Sequence, residues 1–215
     1  MDGHGRGTRR DRYGIVLALL AVVILLVPVD SSALRPLVTA LLGAVLLFAQ
    51  RTSGARRSVM VTSAVLAAVA VVVSGGAQGF NSETAVSVYS ITVILLCLAT
   101  ITTIGVHVLR DPSLDVHIVL GVIAVYVLLG IAFAGTYSVV GIVQGGFFAQ
   151  GGADDDAVNY FYFSLITITT TGFGDLSPVT DTGKILAALE ALIGQVYLVT
   201  VVALAVSGVT RRRRA

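Results

Sequence analysis

The sequence predicts an all-α membrane protein with six transmembrane helices. Its 215 residues are 56% hydrophobic and only 12% charged, whereas a soluble domain typically carries about 25% charged residues. Six long apolar runs are separated by short polar segments, and about 20 apolar residues suffice to cross a bilayer as a helix. A seventh apolar segment, before the sixth run, is too short to cross and predicts a re-entrant helix.

The six runs follow one another with short connections. We expect crossings at residues 13–29, 33–50, 58–74, 84–109, 114–139 and 182–209. Residues 1–12 are basic, so a cleaved signal peptide ending near Ala33 is an alternative interpretation of the first run. The run is longer than a usual signal-peptide core, which favours a retained helix. Asp111 followed by Pro112 is typical of the start of a helix.

Basic residues concentrate in alternate connections. Most of the arginines lie in residues 1–12, 51–57, 110–115 and 211–214. By the positive-inside rule, this pattern predicts a multi-pass protein of the cell membrane with both termini in the cytoplasm. We interpret the tail of Arg211, Arg212, Arg213 and Arg214 as a stop-transfer anchor, with binding of anionic lipid headgroups as a second role. It gives no reason to expect nucleic-acid binding.

This organisation divides the chain into four parts. The expected parts are a basic cytoplasmic N-terminus (1–12), a four-helix transmembrane module (13–110), a two-helix domain with the re-entrant segment (111–210), and a basic cytoplasmic tail (211–215).

The segment between the last two runs contains Thr169-Thr170-Thr171-Gly172-Phe173-Gly174-Asp175, here named the filter segment. Gly172 and Gly174 can adopt backbone angles closed to other residues, so alternate carbonyls can turn to one side. A row of carbonyls facing one axis can replace the water shell of a dehydrated cation. The acids at 154–156 precede the short helix, where negative charge complements the helix dipole.

The filter segment resembles the selectivity filter of the tetrameric potassium-channel superfamily, whose usual signature is Thr-Val/Ile-Gly-Tyr/Phe-Gly-Asp. The resemblance extends from the aromatic residues at 160–163 to the last apolar run. It is a resemblance to the bacterial domain of two helices and a pore loop, here preceded by four extra transmembrane helices.

The resemblance implies roles for individual residues. K⁺ would be coordinated at Thr170, Thr171, Gly172 and Phe173, with the hydroxyl and carbonyl of Thr170 at the innermost site. Gly174 would permit the outer turn, and Asp175 would mark the outer mouth. The side chains expected to pack around the filter as a cuff are those of Tyr160, Tyr162, Phe163, Ser164 and Thr167. Because each chain has one such strand, the resemblance implies a homotetramer. No cofactor is expected, and K⁺ is the permeant ion.

Two residues depart from the family signature. Thr171 stands where the family usually has Val or Ile, and Phe173 lacks the hydroxyl of the commoner Tyr. We therefore expect a K⁺-selective channel and keep a weakly selective cation channel as the alternative. The fourth run has no Arg or Lys between 84 and 109, so we do not expect steep voltage gating.

Two residues of the last run are candidates for gating. Gly194 lies near the position where the family places a hinge glycine, although a glycine there can also serve close helix packing. Glu190 is an acid deep inside a predicted crossing, where a charge costs roughly 3 kcal/mol. We expect it either to tune ion occupancy or gating, or to be buried and protonated, bonded to a hydroxyl such as that of Thr167 or Thr169. Lys184 and Asp181 are spaced for a surface ion pair.

Other classes of function have less support. A re-entrant turn without conduction is one of them, but the full filter segment between a short helix and two spans favours conduction. Transporters built on related pore loops carry several such loops in one chain, and this chain has one. No paired carboxylates, Ser/His arrangement or His/Cys cluster points to an enzyme, and the single Cys97 excludes an intrachain disulfide.

Overall fold

A computed structural model describes residues 12–26, 35–76, 83–110 and 116–202, and its regular elements in these ranges are helices. They are α1 (Arg12–Leu26), α2 (Arg35–Thr52), α3 (Arg57–Gly76), α4 (Glu83–Arg110), α5 (Val116–Gln144), α6 (Ala157–Ile168) and α7 (Asp181–Tyr197). A 3₁₀ turn precedes α6 at Ala153–Asp155, and a π-helical turn follows α7 at Leu198–Val202. The described ranges contain no strand, only an isolated bridge between Phe148 and Pro178. The all-α prediction is therefore confirmed.

The apolar runs of the sequence correspond to α1–α5 and α7, and the short segment corresponds to α6. The largest difference concerns α5, which we predicted to end at Val139 and which continues to Gln144. Gly141 belongs to this extra turn and lies against α6. A methyl group placed on it would be 2.6 Å from the hydroxyl of Tyr160. This glycine therefore permits close helix packing and does not end the helix.

Four helices are long and apolar enough to cross a membrane: Arg57–Gly75, Glu83–Val108, Val119–Gln144 and Asp181–Thr200. The described part of α1 has 15 residues, which is about 22 Å at 1.5 Å per residue. The apolar part of α2, Pro36–Thr52, is also shorter than a full span. These findings support a membrane protein with several spans, and six crossings stay a prediction.

Several sequence predictions lie outside the described residues. They concern the signal-peptide cleavage site, the helix start at Asp111 and Pro112, and the tail 211–214.

The four N-terminal helices form a bundle that packs against α5. Each helix contacts the next one along the chain, α2 also contacts α4, and both α1 and α4 lie against α5. The fully buried side chains at these contacts include Val16, Leu20, Leu46, Leu96 and Leu128. Because lipid tails are as apolar as leucine, such contacts hold helices together through close packing and not through release of water.

Side-chain hydrogen bonds also lie inside this bundle. The Gln50 Nε2 donates to Thr100 Oγ1 over 3.0 Å, and the hydroxyls of Tyr13 and Ser53 are 2.8 Å apart. These bonds link α2 to α4 and α1 to the turn after α2.

The short α6 lies between α5 and α7. The chain segments that precede α6 and α7 are bonded to each other. The segment before α6 pairs with the segment before α7 through Val179 N to Phe147 O (2.9 Å) and Ala149 N to Ser177 O (2.8 Å). Thr180 caps α7, its hydroxyl accepting from the amide of Gly183 at 3.1 Å. The filter segment is thus fixed between two anchored helix ends.

Replacement of Gly141 by alanine tests the contact between α5 and α6. The added methyl would displace the Tyr160 hydroxyl, and we expect the free energy of unfolding to fall by about 1–3 kcal/mol. The matched control is Gly105→Ala in α4, where no atom lies within 4 Å of the new methyl. That change should be neutral or stabilise by up to about 1 kcal/mol. Thermal unfolding of the purified protein in detergent measures both, and equal midpoints for the two variants would contradict the packing role of Gly141.

Candidate functional site

The end of α6 is bonded to the filter segment that follows it. The amide of Thr170 donates to Thr167 O over 2.9 Å, and the amides of Thr171 and Gly172 donate to Ile166 O over 2.8 and 3.0 Å. The last turn of a helix leaves its carbonyls without intrahelical partners. Here the amides of the filter segment supply those partners, so the chain leaves the helix on a fixed path.

Alternate residues of the filter segment have left-handed backbone angles. The φ angles are 56° at Thr170, 50° at Gly172 and 78° at Gly174, while the residues between them do not have positive φ. The two glycines adopt the conformation that the sequence predicts. Thr170 was not predicted to do so, because positive φ in a β-branched residue is uncommon and costs roughly 1–3 kcal/mol.

The hydroxyl of Thr171 is bonded within its own strand. The Oγ1 atoms of Thr169 and Thr171 are 2.9 Å apart, and Thr169 Oγ1 also lies 2.7 Å from Leu165 O. Because Thr169 gives its one hydrogen to the Leu165 carbonyl, Thr171 is the donor to Thr169. Thr171, which stands where the family usually has Val or Ile, therefore has a hydrogen-bond partner for its hydroxyl.

Tyr162 links α6 to the outer end of the filter segment. Its hydroxyl donates to Asp175 Oδ2 over 2.8 Å. This hydrogen bond to the carboxylate is lost if the phenol ionises, and it raises the pKa of Tyr162 above its ordinary value. Tyr162 is thus a residue of the predicted cuff that reaches the filter segment directly.

Tyr160 and Phe163 belong instead to a separate aromatic cluster. They pack with Tyr137 of α5 and with Phe147 and Phe148 of the preceding loop. Ring centroids are 5.2 Å apart for Phe163 and Tyr137 and 5.0 Å apart for Phe148 and Tyr160. These two side chains brace α6 against α5 and the loop, and their part in a cuff around the filter stays a prediction. The loop phenylalanines gave no signal in the sequence, because they lie in a glycine-rich stretch.

The acidic residues before α6 divide their roles, which the sequence did not predict. Asp156 caps the helix, with Oδ1 accepting from Val158 N over 2.9 Å. Asp154 instead holds the loop, because its Oδ1 accepts from the Phe147 amide (3.0 Å) and from the Tyr160 hydroxyl (2.6 Å). Of these two described side chains, that of Asp156 fulfils the predicted role at the helix start.

Glu190 is fully buried, with 0% of its surface exposed, at the junction of three helices. Tyr137 of α5 donates to its Oε2, and Ser164 of α6 lies 2.5 Å from its Oε1. Ser164 also lies 2.7 Å from the carbonyl oxygen of Gly130 in α5. A partner on α6 was predicted, but the choice of Thr167 or Thr169 was wrong.

Gly194 lies directly against the end of α6. A methyl group placed on it would overlap the carbonyl oxygen of Ile168 and approach Ile168 Cγ1 to 2.7 Å. That carbonyl accepts a hydrogen bond of 2.7 Å from Tyr126, whose ring stacks on Tyr197 with centroids 5.8 Å apart. The structure thus supports the packing interpretation of Gly194, and a hinge there stays a prediction.

The charged pair at the start of α7 forms as expected. Lys184 Nζ lies 3.4 Å from Asp181 Oδ1, and the two side chains are 58% and 95% exposed. An exposed pair of this kind contributes little to stability.

One side of this region is uncovered in a single chain. Residues 169–175 are exposed, Phe173 to 70% of its surface. A row of apolar side chains on α7 and the π-helical turn after it is exposed as well: Ile185, Leu189, Leu192, Val196 and Val199. Irregular backbone at membrane depth has to be buried in protein or line a water-filled space.

The described residues contain no cluster of His, Cys, Asp and Glu that could hold a metal ion.

The C-terminal part of the chain also matches a known family. Residues 124–211 match the family model described as "Ion channel". This stretch of the chain is therefore similar to an ion channel domain. The domain begins within α5 and includes α6, the filter segment and α7. The match points to a channel and not to an enzyme, and it confirms the resemblance for this part of the chain. No curated protein and no solved structure matches the chain.

The bond between Tyr162 and Asp175 in the channel domain predicts a shifted titration. In the wild type, the carboxylate favours the neutral phenol, so Tyr162 should ionise at a higher pH than an ordinary tyrosine. In Asp175→Asn the charge is gone, and the titration should move to lower pH. Tyrosinate absorbance of each protein, minus that of the same protein with Tyr162→Phe, measures this step. Identical titrations of Tyr162 in the wild type and in Asp175→Asn would contradict the bond.

Proposed function

We propose that the chain forms a homotetrameric, K⁺-selective channel that conducts ions passively across the cell membrane. The observation that carries this proposal is the alternation of left-handed residues at Thr170, Gly172 and Gly174 inside an ion channel domain. Alternating backbone conformation lets successive carbonyls turn to the same side, which is the arrangement that replaces the hydration shell of K⁺.

The proposed coordination uses backbone oxygens. The carbonyls of Thr170, Thr171, Gly172 and Phe173 would form successive K⁺ sites, and the Thr170 hydroxyl would add to the innermost one. Gly174 and Asp175 would shape the outer mouth, where Tyr162 holds the Asp175 carboxylate.

A tetramer accounts for the surfaces that a single chain leaves uncovered. One chain supplies one strand, and a ring of strands is needed to surround an ion. The exposed filter segment would then face the axis, and the apolar row on α7 would line or adjoin the central cavity. In this arrangement each ion site is shared by the strands of all the subunits.

A weakly selective cation channel is the second candidate. It is motivated by the hydroxyl of Thr171, which bonds to Thr169 in the same strand. That bond supports the strand from within, whereas apolar packing behind the filter would support it through neighbouring side chains. Ion selectivity separates the two candidates.

The proposed topology has six crossings with both termini in the cytoplasm, as the distribution of arginines indicates. The tail 211–214 would then lie at the cytoplasmic surface, where about 1 kcal/mol per basic residue favours anionic lipid. The four N-terminal helices precede the matched domain, and their packing on α5 suggests a scaffold for it.

Reversal potentials in asymmetric K⁺ and Na⁺ test the proposed selectivity. In planar bilayers with purified wild-type protein, the reversal potential should follow the K⁺ gradient by about 59 mV per tenfold change. Gly172→Ala is the control, because alanine resists the φ of 50° at this position, and its K⁺ current should be lost. A reversal potential that is indifferent to exchange of K⁺ for Na⁺ would favour the weakly selective channel. An intact tetramer without K⁺ current would refute the proposal.

The response to voltage should be shallow. Between Glu83 and Arg110 the helix α4 carries no Asp, Glu, Lys or Arg, and each charge that crosses the field supplies about 2.3 kcal/mol per 100 mV. We therefore expect the open probability to change little when the membrane potential is stepped by about 100 mV in either direction. A conductance curve that requires several gating charges would contradict this expectation.

A further inference from the structure

The hydroxyl of Ser164 has one hydrogen and two neighbours that can accept it. Ser164 Oγ lies 2.7 Å from the carbonyl oxygen of Gly130 and 2.5 Å from Glu190 Oε1. A backbone carbonyl has no hydrogen to give, and an ionised carboxylate only accepts. If Glu190 were ionised, one of these contacts would bring two oxygens together without a hydrogen between them.

Tyr137 does not supply the missing hydrogen. Its single hydroxyl hydrogen goes to Glu190 Oε2. A proton on Glu190 Oε1 completes the set of bonds, because Oε1–H then donates to Ser164 and Ser164 donates to the Gly130 carbonyl. In this arrangement each of the three hydroxyl hydrogens has one acceptor, and every short contact contains a hydrogen.

We propose that Glu190 is a neutral carboxylic acid that positions α6, and that loss of its proton stops conduction. The inference rests on the proposed function for its second half and on hydrogen-bond geometry alone for its first half. Glu190 acts here as a positioning residue, since the permeant ion would meet backbone oxygens of the filter segment.

The surroundings of Glu190 offer nothing to balance a negative charge. From α5 it meets Tyr137, with Tyr126 as a more distant titratable group, and from α6 it meets the uncharged Ser164. On α7 itself, Lys184 pairs with Asp181 at the exposed end of the helix. In the described ranges no basic side chain forms an ion pair with Glu190. A buried charge without a partner is strongly unfavourable, so ionisation has to open this junction.

Opening the junction would move the filter segment. Gly130 allows α5 to approach α6 closely, and a methyl group placed on it would lie 3.3 Å from Leu165 Cδ2. Without the proton, repulsion between Glu190 Oε1 and Ser164 or between Ser164 and Gly130 O separates α6 from α5 or α7. Because the carbonyl of Ile166 on α6 accepts from two amides of the filter segment, a displaced helix carries that segment with it.

Infrared spectroscopy tests the protonation without using conduction. The spectrum of reconstituted wild-type protein minus that of Glu190→Gln at neutral pH should contain the carbonyl band of one protonated carboxylic acid. The band should disappear at alkaline pH. The control is Asp181→Asn, which removes an exposed carboxylate of the same helix and should remove no such band at neutral pH. Absence of the protonated band in the wild type at neutral pH would overturn the proposal, whether or not the protein conducts K⁺.

The pH dependence of the K⁺ current tests the second half. If only the protonated form conducts, the wild-type current should fall by at least about tenfold per pH unit above the titration midpoint, and more steeply where several subunits must keep their protons. In Glu190→Gln the amide can still donate to Ser164 and accept from Tyr137, so the current should persist and not fall at high pH. Asp181→Asn should follow the wild type. An alkaline decline shared by Glu190→Gln, or a loss of its current while its tetramer is intact, would overturn the proposal. If no variant conducts at any pH, the proposed function fails, and the infrared band still decides the protonation.

Discussion

The carbonyl groups at the end of α6 impose the constraint on which the site depends. A helix that stops inside a protein leaves its last four carbonyls to be satisfied by something other than the helix. All four are satisfied here. Leu165 O accepts from Thr169, Ile166 O from Thr171 and Gly172, Thr167 O from Thr170, and Ile168 O from Tyr126. Three of these acceptors use donors of the filter segment, so the same hydrogen bonds satisfy the helix end and fix the path of that segment.

The same constraint explains why glycine and hydroxyl residues concentrate around α6. Gly130 and Gly194 let α5 and α7 approach the helix, and close approach places Ser164 within reach of Glu190. In a bilayer, helices associate through small residues and hydrogen bonds between side chains, since apolar contact with lipid costs nothing. The pairing of small residues with a buried carboxyl group is therefore the expected way to hold a short helix among long ones.

The sequence predicts the elements better than it predicts their contacts. Apolar runs identify α1–α5 and α7, because one helix is one continuous run. The left-handed conformation of Gly172 and Gly174 also follows from local residue chemistry. The partner of Glu190 does not, since several hydroxyls lie close together in and just after α6, and only the rotation of two packed helices selects Ser164. Tyr126 and Phe147 escape prediction for the same reason, because their partners are far away in the chain.

One chain by itself supplies a set of hydrogen bonds that shape the filter segment. Thr171 bonds to Thr169, Asp175 is held by Tyr162, and the amides bond to α6 of the same molecule. Each strand can therefore acquire its conformation before chains associate. A newly made chain would then carry the conformation of this segment before it meets any partner.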